Sequence, residues 1–348
     1  MVRIGIIGVG FMGYTHFEGA RDLVGAKVTA FATRDQKKLA GDWTGIQGNF
    51  GPPGGQVDVS GLKCCPDYKQ LLADPDIDLI DVCLPTDKHF DVVLESLAAG
   101  KPTLVEKPIS VDLNEAVQMT EAARAAGVPL LVGHVLPFFP EFRFAAEAIQ
   151  SKRFGALRAA HFKRVICPPD WSNGMSDFRK LGGWGIDLHI HDNHFIAHAC
   201  GKPQAVFSSG LLQDDFVNHV HTSYLYGLEG PTVTAVSGGI AANGLAFGHG
   251  FDLYFENATV VFDAGTYGGE WVVNRPLSVI TNDGQVELVD LAGSDKWCAA
   301  FTNELQVAVN HLTNGDDPGP LSSEVALDAL KMCYAEAQSI SSGQPVGL

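Results

Sequence analysis

Apolar positions in the first third of the chain alternate between two periods. Short apolar runs at residues 3–7, 27–32, 79–84, 103–105 and 130–132 read as strands. The stretches between them carry helical spacing. One opens in a glycine-rich turn and runs to about residue 24. A second, 87–99, sets Phe90, Val93, Leu94 and Leu97 on one face and stops at Gly100, a residue suited to a helix C-terminus. A third covers 112–126. Strand and helix in strict alternation predict a parallel sheet with helices on both faces.

Residues 43–63 break that rhythm. They hold six glycines together with Pro52 and Pro53. This is too long and irregular for an ordinary connection, and it suits a binding loop or an oligomer contact. Beyond a helix at 138–150 the pattern changes. Residues 156–166, 205–212, 219–226 and 232–238 read as strands without intervening helices. Hairpins follow at 251–256 with 259–262, turning at Asn257-Ala258, and at 277–281 with 286–291, turning at Asn282-Asp283-Gly284. Such a run predicts a mostly antiparallel sheet. Helices at 296–312 and 323–339 close the chain. The expectation is an α/β protein of two domains, 1–133 and 134–348.

Length agrees, since 348 residues make about two domains at roughly 150 each. Hydrophobic residues are 46% and charged residues 18%, which excludes a disordered chain. The net charge of −16, with no cluster of Lys and Arg, argues against nucleic acid or acidic membranes as partners. Seven cysteines with no Cys-x-x-Cys pair suggest reduced thiols. The apolar stretch after Arg3 resembles a short signal segment, but Gly5, Gly8, Gly10 and Gly13 interrupt it. No apolar run approaches about 18 residues. A cytoplasmic setting is expected.

Gly8-Val9-Gly10-Phe11-Met12-Gly13 fits G-x-G-x-x-G between a predicted strand and a predicted helix. That context is what a dinucleotide requires. Gly8 permits the tight turn, Gly10 lets backbone approach a pyrophosphate, and Gly13 lets the helix lie close to the sheet. An acid normally follows the second strand, to hold the ribose of NAD. Here Thr33 and Arg34 stand there. A guanidinium attracts a 2′-phosphate, so NADP is the expected cofactor. NAD is the alternative, with Asp35 turned inward.

Two further segments carry chemistry. Glu106-Lys107-Pro108 lies at the carboxyl end of a predicted parallel strand, where ligands bind in such sheets. Pro108 fixes the chain after Lys107 and admits a cis bond. In residues 182–198, a helix starting near Gly185 would bring Asp187, His191, His194 and His198 within about 60° of one another. Asp187 and His191, four apart, make a general base and its orienting carboxylate. His189 and Asp192 then point elsewhere and read as structural or solvated. His198, two turns on, reads as packed or exposed. His191, His194 and His198 also have ligand-compatible spacing for a metal, but no Cys or Glu cluster completes a shell, so no metal is expected.

At these residues the chain resembles the Gfo/Idh/MocA family of oxidoreductases. The marks are the glycine loop, Leu84-Pro85-Thr86 with His89, Glu106-Lys107-Pro108, Gly182-Gly183 followed by Asp187 and His191, and the closing helices. The resemblance implies a Rossmann domain followed by an α/β domain with a large open sheet that carries a homodimer or homotetramer contact. It implies a sugar, cyclitol or related polyol as substrate. Lys107, Asp187 and His191 fall on the family's catalytic positions. Cofactor contacts fall on Gly8, Gly10, Phe11, Met12, Gly13, Thr33, Arg34, Pro85, Thr86, His89, Glu106 and Lys107. Substrate contacts fall on His134, Arg164 and His194. The chain departs from the family's usual pattern at His189, at His194 and near Pro137, which bears on substrate identity.

The implied reaction is hydride transfer between a secondary alcohol and the nicotinamide. His191 handles the hydroxyl proton and Lys107 donates a hydrogen bond to the same oxygen. Glycoside cleavage through transient oxidation would use similar residues. A non-catalytic NADP sensor would have no need of the lysine, aspartate and histidine together.

Overall fold

The computed structural model describes residues 1–48, 50–168, 180–291 and 296–348. The chain divides into two compact units, 1–139 with 292–327 and 140–291 with 328–348. The expected break near Gly133 therefore lies six residues before the first crossing, and a segment from the last third of the chain returns to the first unit.

In the first unit the strands are β1 (Val2–Ile7), β2 (Ala26–Ala32), β3 (Lys63–Cys65), β4 (Leu79–Val82), β5 (Thr103–Glu106) and β6 (Leu130–Gly133). They pair in parallel in the order β3-β2-β1-β4-β5-β6, as the alternating pattern predicts. The order reverses between β1 and β4, so a crevice opens beyond their carboxyl ends. The helices are α1 (Phe11–Gly19), α2 (Gln36–Leu39), α3 (Lys69–Leu72), α4 (His89–Ala98) and α5 (Leu113–Ala126). Asp112 caps α5 by accepting from the backbone N–H of Asn114 and Glu115, and Gly127 ends it at φ +63°. Of the irregular segment after α2, Trp43 and Ile46 are buried in the core. The Trp43 ring meets Phe17 and Phe31 edge-on, and its indole N–H donates to the Lys38 carbonyl at 2.9 Å. These anchors hold much of the segment without regular structure.

In the second unit α6 (Pro140–Ser151) precedes β7 (Leu157–Ile166), and α7 (Gly183–Asp187) and α8 (Ile190–Cys200) follow. The remaining strands are β8 (Ala205–Gln213), β9 (Phe216–Leu225), β10 (Thr232–Gly238), β11 (Leu245–Phe255), β12 (Ala258–Tyr267), β13 (Glu270–Thr281), β14 (Val286–Leu288) and β15 (Val346–Gly347). With β7 they form one sheet in the order β14-β13-β12-β11-β7-β10-β9-β8-β15. All pairs are antiparallel except β7 with β10. The strands β11, β12 and β13 run longer than their patterns predict, because an unforeseen hairpin turns at Gly268-Gly269. The closing helices are α9 (Ala299–Asn314), which packs on α1 in the first unit, and α10 (Ser323–Ser342). No helix among the described residues is long and apolar enough to cross a membrane. All seven cysteines are free.

Candidate functional site

The glycine loop follows β1 directly. Gly8 sits at φ +98°, where a side chain would strain the backbone, and a Cβ there would meet the Cys83 carbonyl oxygen at 2.6 Å. A Cβ on Gly13 would fall 2.0 Å from the Gly8 carbonyl oxygen, so α1 lies against the loop only because position 13 is glycine. Gly10 differs. It caps α1 without a side-chain bond, and a Cβ added to it would meet nothing within 4 Å. The helix N-terminus thus faces open space bordered by backbone, which fits the diphosphate of a dinucleotide.

At the end of β2, Thr33 is half-buried and Arg34 exposed. Asp35 Oδ1 accepts from the backbone N–H of Lys37 at 2.9 Å and of Lys38 at 3.4 Å, capping α2. That oxygen is taken up by its own helix. Lys38 Nζ donates to the Val9 carbonyl at 2.6 Å and ties α2 to the glycine loop.

Beyond β4, Pro85 opens a short turn over Thr86–Lys88. His89 is buried, with Nε2 2.9 Å from the Leu84 carbonyl oxygen and Nδ1 3.0 Å from that of Pro108. Burial lowers its pKa. Both ring nitrogens face backbone carbonyls, so His89 braces the two loops through these contacts. Glu106 is likewise turned inward. The Lys107–Pro108 bond is cis, and Lys107 is half-buried.

Beneath Lys107 lies a charged cluster that periodicity did not reveal. His16, on α1, holds Asp81 of β4 at 2.9 Å through Nδ1 and lies 2.9 Å from Glu106 Oε1 through Nε2. The second contact is off the line of the ring N–H, so it is ionic more than a well-aligned hydrogen bond. Glu106 Oε2 accepts the backbone N–H of Lys107 at 3.1 Å. Glu304 of α9 completes the group, and a Cβ on Gly133 would meet its Oε1 at 3.0 Å and Glu106 Oε1 at 3.5 Å. All four side chains are buried. Burial opposes charge on His16, but Asp81 and the Cys83 sulfur hold its pKa well above the ordinary value. Burial raises Glu304, with Glu106 and Asp81 adding to the rise against His16, so Glu304 stays protonated. Polar residues in buried positions of α1, β4 and α9 were the available signal.

In the second unit the single helix expected from Gly185 is interrupted. The backbone N–H of His189 bonds the Trp184 carbonyl five residues back, at 2.9 Å, and α8 restarts at Ile190. Asp187 ends α7 and His191 is the second residue of α8, so a uniform wheel no longer fixes their angle. Exposure separates them from their neighbours instead. Between residues 182 and 196, Asp187 and His191 alone are not fully buried. His194 is buried, and His198 lies further along α8, its carbonyl accepting from Gln150 Nε2 at 3.1 Å.

His189 and Asp192 are structural. His189 Nε2 lies 3.0 Å from Glu336 Oε1, and Glu336 also accepts from Thr222 and Asn193, each at 2.8 Å. Burial would lower His189, but Glu336 and Asp192 bring its pKa up to about 9. Arg164 Nε donates to both oxygens of Asp192, at 3.1 and 3.2 Å. In the first unit, His134 is buried just past β6. Among the described residues, the group placed to share a metal ion is His16, Asp81 and Cys83; His191, His194 and His198 do not form one. Burial pushes the Cys83 thiol far up, and Asp81 is already bound to His16.

Residues 2–134 match the family described as "Oxidoreductase family, NAD-binding Rossmann fold". A myo-inositol 2-dehydrogenase of Thermotoga maritima is 25% identical over 100% of this chain and 98% of its own length. An inositol 2-dehydrogenase of Rhizobium meliloti is 24% identical, covering 100% and 99%. Among solved structures, an oxidoreductase from Agrobacterium radiobacter in complex with NAD+, L-tartaric acid and magnesium superposes with a TM-score of 0.78 at 17% identity, covering 99% and 98%.

Proposed function

We propose that the chain is a member of the Gfo/Idh/MocA oxidoreductases, whose NAD-binding Rossmann model matches residues 2–134, and that it interconverts a secondary alcohol and a ketone on a sugar, cyclitol or related polyol. The observation that carries this reading is the exposure pattern of α7 and α8, which leaves Asp187 and His191 accessible in an otherwise buried stretch. A nicotinamide cofactor, when bound, would supply the hydride acceptor and donor. His191 takes the hydroxyl proton in oxidation and gives it back in reduction, and Asp187 orients its ring. Lys107 donates a hydrogen bond to the reacting oxygen and stabilises its developing negative charge. Gly8, Gly10, Phe11, Met12 and Gly13 would cradle the cofactor's diphosphate, with Pro85 and Thr86 on the neighbouring loop. His134, Arg164 and His194 serve the substrate.

NADP is the proposed cofactor. Arg34 is exposed at the end of β2, and Asp35 is committed to capping α2. With Asp35 Oδ1 turned back to its own helix, Arg34 offers a guanidinium to a 2′-phosphate. A homo-oligomer formed through the sheet is supported by Phe207, Leu225, Tyr254 and Ile280, which stand exposed on its outer side.

The test is a panel of sugars, cyclitols and ketosugars assayed with NAD(H) and NADP(H) by nicotinamide absorbance. Net cofactor turnover with a neutral polyol supports the reading. Product formation with no net cofactor change would favour cleavage through transient oxidation.

A further inference from the structure

One carboxylate, far along the chain in α10, holds the widened turn between α7 and α8 from behind. Glu336 Oε1 lies 3.0 Å from His189 Nε2, and its Oε2 accepts from Asn193 Nδ2 at 2.8 Å. These two partners stand two residues before and two residues after His191. Asp192, between them, is gripped by Arg164 of β7. Ile190 is packed in the core. Every residue around His191 is thus anchored inward, and His191 alone keeps an accessible side.

The carboxylate is itself aligned. Thr222 of β9 donates to Oε1 at 2.8 Å, and Ser208 Oγ of β8 lies 2.9 Å from that hydroxyl. Tyr224 of β9 donates to Asn193 Oδ1 at 2.6 Å. Glu336, His189, Asp192, Asn193, Thr222 and Tyr224 are each at most 2% exposed.

A buried ionic cluster of this kind is a poor means of gaining stability, since packed apolar residues do as well. What it supplies is a defined geometry. The backbone here lacks one of its own. α7 has only five residues, and His189 opens α8 without a side-chain cap. Short helices have little intrinsic persistence, so the turn between them needs an outside support. Charge does not contradict this reading. His189 and Arg164 stand against Asp192 and Glu336, two cations against two carboxylates, so the support adds no net charge behind the imidazole.

We propose that Glu336 is a positioning residue: by bridging His189 and Asn193 across the break, it fixes the backbone that carries His191 and so the approach of that ring to Asp187. The inference rests on the function proposed above, which gives His191 and Asp187 their parts. Thr222 and Tyr224 act one step further back, by holding the bridge in register.

The test measures the coupling between Asp187 and His191 by NMR, on the full chain with histidine labelled with carbon-13. The His191 signal is identified by its loss in His191→Asn. In the parent, Asp187→Asn should lower the His191 pKa, because a neighbouring carboxylate raises it. In a Glu336→Gln background, which keeps the shape and removes the charge, the same replacement should shift it by about half as much or less. Kinetics on the preferred polyol give a second readout. Glu336→Gln should lower kcat about ten-fold with a larger deuterium isotope effect and KM within about two-fold, because a displaced base slows the chemical step. A smaller folded fraction would lower kcat and leave the isotope effect unchanged. Thr222→Val removes one donor to the carboxylate at similar volume. It should act in the same direction more weakly, and it decides the question if Glu336→Gln does not fold. An Asp187→Asn shift of equal size with and without these replacements would overturn the inference. So would a lower kcat with an unchanged isotope effect. No shift in the parent would instead overturn the pairing of Asp187 with His191 proposed above, and this inference with it.

Discussion

The imidazole of His16 lies 2.9 Å from the carboxylate of Glu106, the residue whose side chain accepts the backbone N–H of Lys107. A histidine on the first helix is thereby coupled to the peptide that presents the candidate lysine. Asp81 holds the other side of the ring, so a buried run of charge from β4 through α1 to β5 supports that peptide. Replacing His16 by Phe would leave two buried carboxylates facing each other without a cation. A loss of about 3–5 kcal/mol is expected, as for removing one partner of a buried pair. Denaturant unfolding reads it. Glu106→Gln, which removes one of those negative charges, should cost less.

Lys107→Ala and His191→Ala should each lower kcat by about 10²-fold or more, while NADPH still binds. Fluorescence titration of the cofactor separates the two effects. Near-parental kcat in both variants would remove these residues from the chemistry.

Gly10 and Gly13 should separate folding from cofactor binding. Gly13→Ala places a methyl group against the Gly8 carbonyl oxygen and should lower Tm. Gly10→Ala meets no protein atom, so Tm should change little while cofactor affinity falls. Thermal melts with and without NADP distinguish the two outcomes.

Cofactor preference should follow Arg34. Replacement by Ser removes the cation offered to a 2′-phosphate and should raise KM for NADP by about ten-fold or more with little change for NAD. Equal catalytic efficiency of the parent with the two cofactors would contradict the assignment.

Stability should fall as pH rises above neutrality. His189 is held at about 9 against an ordinary 6.5, so the folded chain binds more protons than the unfolded chain between these values. The stabilisation is complete below about 6.5 and is lost as pH climbs through 9. His16 and Glu304, both raised, act with the same sign. Tm measured from pH 6 to 10 should decline, and His189→Gln should flatten the slope.

Much of this architecture was legible because period and punctuation agreed. Strands β1, β2, β4, β5 and β6 are mostly apolar, as strands covered on both sides are, and glycine or proline marks several of their ends. The glycine loop was legible for the same reason, since its strand and helix context was readable. What escaped was three-dimensional. The break at Leu188 and His189 depends on one widened turn, which no residue there announces. The His16 cluster joins residues far apart in sequence, and each looked like an isolated polar exception. The hairpin at Gly268-Gly269 was missed because exposed residues on β13, among them Trp271, Val272 and Val273, blur the two-residue alternation. The sharing of 292–327 with the first unit follows from α9 packing on α1, a contact that amphipathicity allows but does not specify.

The central claim, that hydride passes between a carbinol carbon and the nicotinamide, is tested most directly with an isotope. The polyol selected by the panel, deuterated at its carbinol carbons, is incubated with the enzyme and oxidised NADP, and the reduced cofactor is analysed by mass spectrometry. One deuterium in each reduced cofactor molecule is the predicted result. A reduced cofactor without deuterium, or consumption of the polyol with no reduced cofactor formed, would contradict the account.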